Sequence, residues 1–294
     1  MKIRLFVWTA LTLVLAACNK NSNENLTDGP VAAEFHASIY KAITTRASGT
    51  QWDDGDCIGI TGIGTVYDNV PYLLKNGMFM ADGTNIYFHS TDEVSFRAYY
   101  PYSQTGGTLS ATTDANTQMD QPAIDFLFAS GATGSTTNPN VNFVDNTQTG
   151  GTDCSFHHCM SQIYIEFLEG NGVDLAAISP ANYTLNNLVL SGTFNTSTGV
   201  ATASGEGASA LTMELNGALE SSVILFPQST SSLPLNVSYN DQTYYATLTV
   251  PDGELMAGKS YVYKVFINNS GISIESTGIS EWETIEGDDA HAEM

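Results

Sequence analysis

From about residue 47 onward the chain is a series of short runs that alternate apolar and polar residues, separated by clusters of Gly, Asn, Asp, Ser and Thr. An alternation of period two sends successive side chains to opposite faces of an extended backbone, so each run reads as a strand. The runs are "CIGITGIG", "NIYFHS", "VSFRAYYPY", "SQIYIEFLE", "NYTLNNLVLSGTF", "SSVILFPQ", "LPLNVSYN", "TYYATLTV", "SYVYKVFIN" and "GISIES". In one of them Tyr261, Tyr263, Val265 and Ile267 alternate with Val262, Lys264 and Phe266, which leaves both faces largely apolar and predicts an inner strand. Helical periodicity is scarce, and "GVDLAAISP" is the best short helix candidate. The abundance of Gly, Thr, Ser and Asn, with 14 Tyr and 13 Phe, agrees with an all-β chain. Roughly 250 residues of this kind exceed one ordinary sandwich. Two tandem β-sandwich domains are therefore expected, over 47–170 and 171–294, with the break at "LEGNGVD" and a short acidic tail from Glu286.

The stretch ahead of these runs, "VAAEFHASIYKAITTR", carries its own strand pattern. Odd positions Val31, Ala33, Phe35, Ala37, Ile39 and Ile43 are apolar, interrupted by Lys41, while even positions hold Glu34, His36, Ser38, Tyr40 and Thr44. Burying Phe35, Ile39 and Ile43 is worth roughly 5–9 kcal/mol before ordering costs. Arg46 ends the stretch and small polar residues follow it, which marks an exposed, cuttable connection. The chain has only three Arg, and Arg97 lies inside "VSFRAYY", where a regular folded strand resists proteolysis. A cut between Arg46 and Ala47 severs the strand from its sandwich. Its departure leaves an apolar groove bounded by unpaired strand edges, open to a strand from another subunit.

The front of the chain reads "MKIRLFVWTALTLVLAAC": Lys2 and Arg4, an apolar run from Leu5 to Leu15, then small residues and a cysteine. This is a secretory signal peptide over 1–17, too short to span a membrane. Its end, "LAAC", looks like the lipobox of bacterial lipoproteins, which are cut before the cysteine and acylated there, here at Cys18 with palmitate-type chains that hold a protein to a membrane. Residues 18–46 are then a polar tether, "NKNSNENLTDGP", followed by the removable strand.

Removal of the leader takes Lys2 and Arg4 with it, leaving seven basic residues against 31 acidic ones, a formal net charge of −24. That balance excludes nucleic acid and anionic lipid headgroups as natural partners. Beyond Cys18 the cysteines are Cys57, Cys154 and Cys159, an odd number, so disulfides are not the stabilising device. "CSFHHC" gathers Cys154, His157, His158 and Cys159, but along a strand His157 and Cys159 point one way and His158 the other, so one strand cannot converge them on a tetrahedral metal ion. "WDDGDCIGI" clusters Asp53, Asp54 and Asp56 without the spacing of a calcium loop and reads as an Asp/Gly turn into a strand near Cys57. No phosphate loop, G-x-S-x-G, H-E-x-x-H or singled-out carboxylate pair is present, so no catalytic residue, metal or cofactor is expected.

Across nearly its whole length the chain resembles the fimbrillin (Mfa-like) family of pilus and surface lipoproteins from anaerobic Gram-negative bacteria. The landmarks, in order, are "LAAC", "TTRA" before "WDDGDCIGI", "VSFRAYYPY", "IDFLFAS", "FHHCMSQIYIEF", "LNNLVLSGTFNTSTG", "ILFPQ", "LMAGKSYVYKVFI" and "GISIESTGISEW". The resemblance implies two transthyretin-like β-sandwich domains, lipid anchoring through Cys18 to the outer membrane, and cleavage by an arginine-specific protease at the Arg46–Ala47 bond. It further implies strand exchange with other fimbrillin subunits into a type V pilus for cell adhesion at the cell surface. The tail "EWETIEGDDAHAEM" departs from the family's C-terminal donor appendage, being short and acidic. A second reading is a monomeric surface-anchored module that binds a glycan or a host protein through Tyr99, Tyr100, Tyr102, Tyr244 or Tyr245.

Overall fold

The computed structural model describes residues 29–40, 51–205 and 208–282. Among them the strands of the first half are β1 (Val31–Ala32), β2 (Glu34–Ala37), β3 (Cys57–Gly62), β4 (Val70–Lys75), β5 (Met78–Ala81), β6 (Tyr87–Phe88), β7 (Val94–Tyr100), β8 (Thr108–Thr112), β9 (Leu127–Gly134), β10 (Asn140–Phe143) and β11 (His157–His158). Those of the second half are β12 (Ser161–Glu169), β13 (Asn182–Leu188), β14 (Ser191–Asn195), β15 (Val200–Ala203), β16 (Ser209–Glu214), β17 (Glu220–Leu225), β18 (Gln228–Ser229), β19 (Ser232–Tyr239), β20 (Gln242–Thr249), β21 (Glu254–Leu255), β22 (Lys259–Asn268) and β23 (Gly271–Glu281). The chain is all-β, as its alternation predicts.

In the second half, sheets β17-β12-β22-β23 and β16-β13-β19-β20 share one core, the second in chain order. The alternating set Leu233, Leu235, Val237 and Tyr239 of β19 meets Ile163, Ile165 and Phe167 of β12 and Tyr261, Tyr263, Val265 and Ile267 of β22 there. β22 is an inner strand, parallel to β12 on one side and antiparallel to β23 on the other; its face Tyr261, Tyr263, Val265 and Ile267 is buried, while Val262, Lys264 and Phe266 are partly covered.

The first half is an eight-stranded sheet in the order β10-β2-β5-β4-β3-β7-β9-β11. It encloses the first core in chain order, built from Phe35, Ile58, Ile60, Tyr72, Phe79, Phe88, Phe96, Val141, Phe143 and Phe156. Asn76 and Gly77, both at positive φ, make the two-residue turn that pairs Lys75 with Met78 in the β4–β5 hairpin. The Asp-rich run is a turn, with the Asp53 N–H donating to the Asp56 carboxylate at 2.7 Å just before β3.

Two expectations change. The domain break expected between 170 and 171 follows β12, yet β12 pairs with β17 and β22 of the second half. "LEGNGVD" is a turn within one sandwich, and turn residues mark any strand connection, whether or not a core ends there. Nor are the halves cleanly separable. β8 pairs with β14 in the sheet β15-β14-β8, and Gln118 in the 3-10 segment Thr117–Ala123 donates to the Ile224 carbonyl at 2.7 Å and accepts from the Ile224 N–H at 3.0 Å. A third core of Tyr99, Ile124, Phe126, Met160, Phe194, Phe226 and Trp282 fills the seam. "GVDLAAISP" is also no helix. Asp174 accepts from the N–H groups of Ala176 and Ala177, one i to i+4 bond closes from Ile178, and Pro180 follows.

Candidate assembly groove

The N-terminal strand completes the first core. Val31 and Ala32 pair with Phe88 and Tyr87 of β6, after which the chain runs parallel to β10, with Glu34 to Ala37 opposite Asn140 to Phe143. Ala33, Phe35 and Ile39 are buried while Glu34 and His36 are exposed, so the inward set follows the sequence alternation. The Phe35 ring stands edge-on to Tyr72 at 4.7 Å and to Phe96 at 5.4 Å, with Phe143 stacked at 6.3 Å. Of the three residues expected on this face, Phe35 and Ile39 are placed in the core, and Ile43 lies outside the described residues, as do Cys18, Arg46 and Ala47.

The two rims of the groove differ. Toward β10 and Phe156 the ladder is continuous. The N–H of Glu34 donates to Pro139, that of Ser38 to Phe143 and that of Tyr40 to Phe156, while the Phe156 N–H donates back to Ser38, all at 2.7–2.9 Å. On the other rim, Ala33 donates to the Ile86 carbonyl at 2.9 Å and Phe35 pairs with Phe79, and there β5 ends at the Asn76–Gly77 turn. The next carbonyl on that side, Ala37, is met instead by a side chain, the Trp52 indole, which donates to it at 3.1 Å. Trp52 is fixed by edge contacts to Phe156 at 5.1 Å and to Phe79 and Tyr100 at 5.4 Å. Tyr72 supports the first rim position by accepting the Ile86 N–H on its hydroxyl at 3.0 Å, and burial pushes that hydroxyl's pKa above the usual tyrosine value. At the strand's end Tyr40 stacks on His157 at 4.6 Å, and His157 meets Asp153 at 2.9 Å.

The other singled-out residues sit elsewhere. Arg97 lies within β7, half-buried, 3.9 Å from Asp68. His158 is buried at the seam, bonded through Nδ1 to Asp125 at 2.8 Å and stacked on Trp282 at 4.2 Å, on the opposite side of β11 from exposed His157. Cys57, Cys154 and Cys159 are free thiols; burial pushes Cys57 up to about 11, with Asp82 adding to the effect. Tyr99 is buried and bonded to Asn69 and Ser103, Tyr100 donates to Asp56, and Tyr102 packs into the seam. Tyr244 packs against the second core, which leaves Tyr245, at 73 % exposure, as the one open ring of that set. Neither Trp52 nor the partner strand β10 stands out in the sequence; the N-G turn that precedes β5 is the one local signal that β5 stops short of Ala37.

Residues 45–282 match the model of the fimbrillin-like family. The chain is 26 % identical over 292 residues to a candidate fimbrium subunit, Fim1C, of Bacteroides uniformis, covering 92 % of each. It is similar to the crystal structure of a candidate cell adhesion protein from Bacteroides ovatus, with 29 % identity and a TM-score of 0.72 over 88 % of this chain and 100 % of that one. A candidate cell adhesion protein from Bacteroides uniformis shares the fold, with 23 % identity and a TM-score of 0.69 over 87 % of this chain and 99 % of that one.

Proposed function

Because the chain belongs to the fimbrillin-like family and is a subunit of a fimbria or a cell adhesion protein rather than an enzyme, we propose that it assembles with other fimbrillin subunits by donor-strand exchange after proteolytic removal of its own first strand. The exported protein is held to the outer membrane by acyl chains on Cys18. An arginine-specific protease cuts the Arg46–Ala47 bond, the strand carrying Phe35, Ile39 and Ile43 leaves, and a neighbouring subunit's strand takes its place at the cell surface. Among the described residues no helix is long and apolar enough to cross a membrane; in this reading the acyl chains on Cys18 supply the anchor.

The observation that carries the reading is the first strand itself. It supplies two large side chains and a full parallel edge to a core whose other strands all follow Arg46 in the sequence. The family match begins at residue 45, one residue before Arg46, and so leaves this strand outside the matched unit. A replacement strand would restore the same ladder and fill the same cavity, which makes exchange energetically close to neutral once the covalent link is cut.

The test is to mix the chain lacking residues 1–17, before and after treatment with an arginine-specific protease, with sibling fimbrillin subunits. Multimers that resist denaturant and depend on cleavage are expected. Cleaved protein that remains monomeric with every sibling contradicts the reading. Labelled palmitate incorporated by the full chain and lost in Cys18→Ala tests the anchor separately.

A further inference from the structure

We propose that the groove selects its incoming strand by a size code at alternate positions, small, aromatic, small, branched aliphatic, and holds that strand's open edge through the Trp52 indole. This rests on the reading of residues 31–46 as removable. The code is read from the four inward positions of the resident strand. Ala33 and Ala37 are small, Phe35 sits in the aromatic cage of Tyr72, Phe96 and Phe143, and Ile39 is buried beside Phe156.

Trp52 follows Arg46, so it stays with the body after the cut, and its ring is held by Phe79, Tyr100 and Phe156, none of which belongs to the departing strand. Its N–H therefore remains aimed at the groove as a donor without a partner, standing in for the sheet edge that β5 fails to provide beyond Phe79. A strand lying along β10 satisfies it with the backbone carbonyl at this point, whatever residue stands there.

The code excludes errors of register. A slip of one residue turns the apolar set outward. A slip of two keeps the faces and supplies a carbonyl, but it puts a methyl in the aromatic cage and a large ring where Ala33 or Ala37 had been. Among these 294 residues the run small-x-aromatic-x-small-x-aliphatic occurs once, at Ala33 to Ile39. The nearest likeness in the C-terminal stretch, Ser280, Trp282, Thr284, Glu286, places a carboxylate at the fourth position. The occupant to which the groove points is thus an extended segment of a partner protein that carries this code.

The test uses the chain lacking residues 1–17, nicked after Arg46, and labelled synthetic peptides covering residues 29–40, with exchange into the groove read by retained label. The parent peptide is expected to exchange. The peptide with Phe35→Ala should bind roughly a hundredfold or more weakly, and a peptide with Phe35 and His36 transposed should not enter. In a Trp52→Phe body, which keeps the ring and loses the donor, the parent should bind roughly fivefold more weakly. Parent, Phe35→Ala and transposed peptides exchanging equally would overturn the size code, and an unchanged Trp52→Phe body would overturn the role of the indole as edge donor. A parent peptide that never enters a groove whose own fragment has left overturns the acceptor reading as well.

Discussion

Truncating Phe35 to Ala in the intact chain is expected to destabilise the first core by about 3–5 kcal/mol. The side chain is 2 % exposed, so nearly all of its ring is lost from an environment with no solvent to refill it. The cage of Tyr72, Phe96 and Phe143 is itself pinned, Tyr72 by the Ile86 N–H and Phe96 by its place in β7, so little collapse into the cavity is available. The neighbouring His36→Ala is the control: it lies on the same strand but points outward, and its change should stay within about 0.5 kcal/mol. Without residues 1–17 the chain has two tryptophans, Trp52 and Trp282, and a Trp282→Phe background makes Trp52 the single reporter of the first core. Urea unfolding followed by Trp52 fluorescence then gives the stability difference from the midpoints at constant slope. A Phe35→Ala loss no larger than that of His36→Ala would show that the strand is not part of the core, and the argument for a groove would fall with it.

Two further predictions concern the seam and the strand's far end. Gln118→Ala removes four hydrogen bonds, to the Thr113 carbonyl, to both backbone groups of Ile224 and, at 3.4 Å, from the Gln121 side-chain amide, and leaves the Thr113 and Ile224 groups buried. A loss of about 2–4 kcal/mol in urea unfolding is expected, and a loss under about 0.5 kcal/mol would mean that the seam is not held there. At Asp153, burial alone raises the carboxyl's pKa, but the hydroxyl and N–H of Ser155 and the His157 ring more than offset it and hold it below the usual range. A depressed carboxyl stabilises the fold above its unfolded pKa, about 4, and loses that contribution as pH falls through the folded value. Asp153→Asn should therefore flatten the acid limb of stability against pH, and superimposable limbs below about pH 4 would refute this.

Period-two alternation was enough to read the all-β class, the inner position of β22 and the inward set Ala33, Phe35 and Ile39, because each is a property of one strand's own pattern. Pairing is not. The parallel match of β2 with β10 joins residues about a hundred positions apart, and nothing in either run names the other. β4 and β5 are weak in the sequence because Pro71 and the brevity of "MFMA" dilute the strand pattern, although the N-G between them is a strong hairpin signal. In the sequence Trp52 reads only as the start of an Asp/Gly turn; its contact with Ala37 depends on β5 stopping short of that residue, which no local pattern shows. The break at "LEGNGVD" misled for a related reason: a loop inside a sandwich and a loop between sandwiches use the same residues.

The central claim is that the first strand is a detachable part of an otherwise self-sufficient body. It is tested most directly by digesting the folded, non-acylated chain lacking residues 1–17 with an arginine-specific protease and following intact mass and native-gel migration. The account predicts a single cut after Arg46, with Arg97 spared inside β7, and loss of the fragment as a donor strand is supplied. Cleavage at Arg97, no cleavage at all, or a fragment that stays bound in the presence of every donor would contradict it.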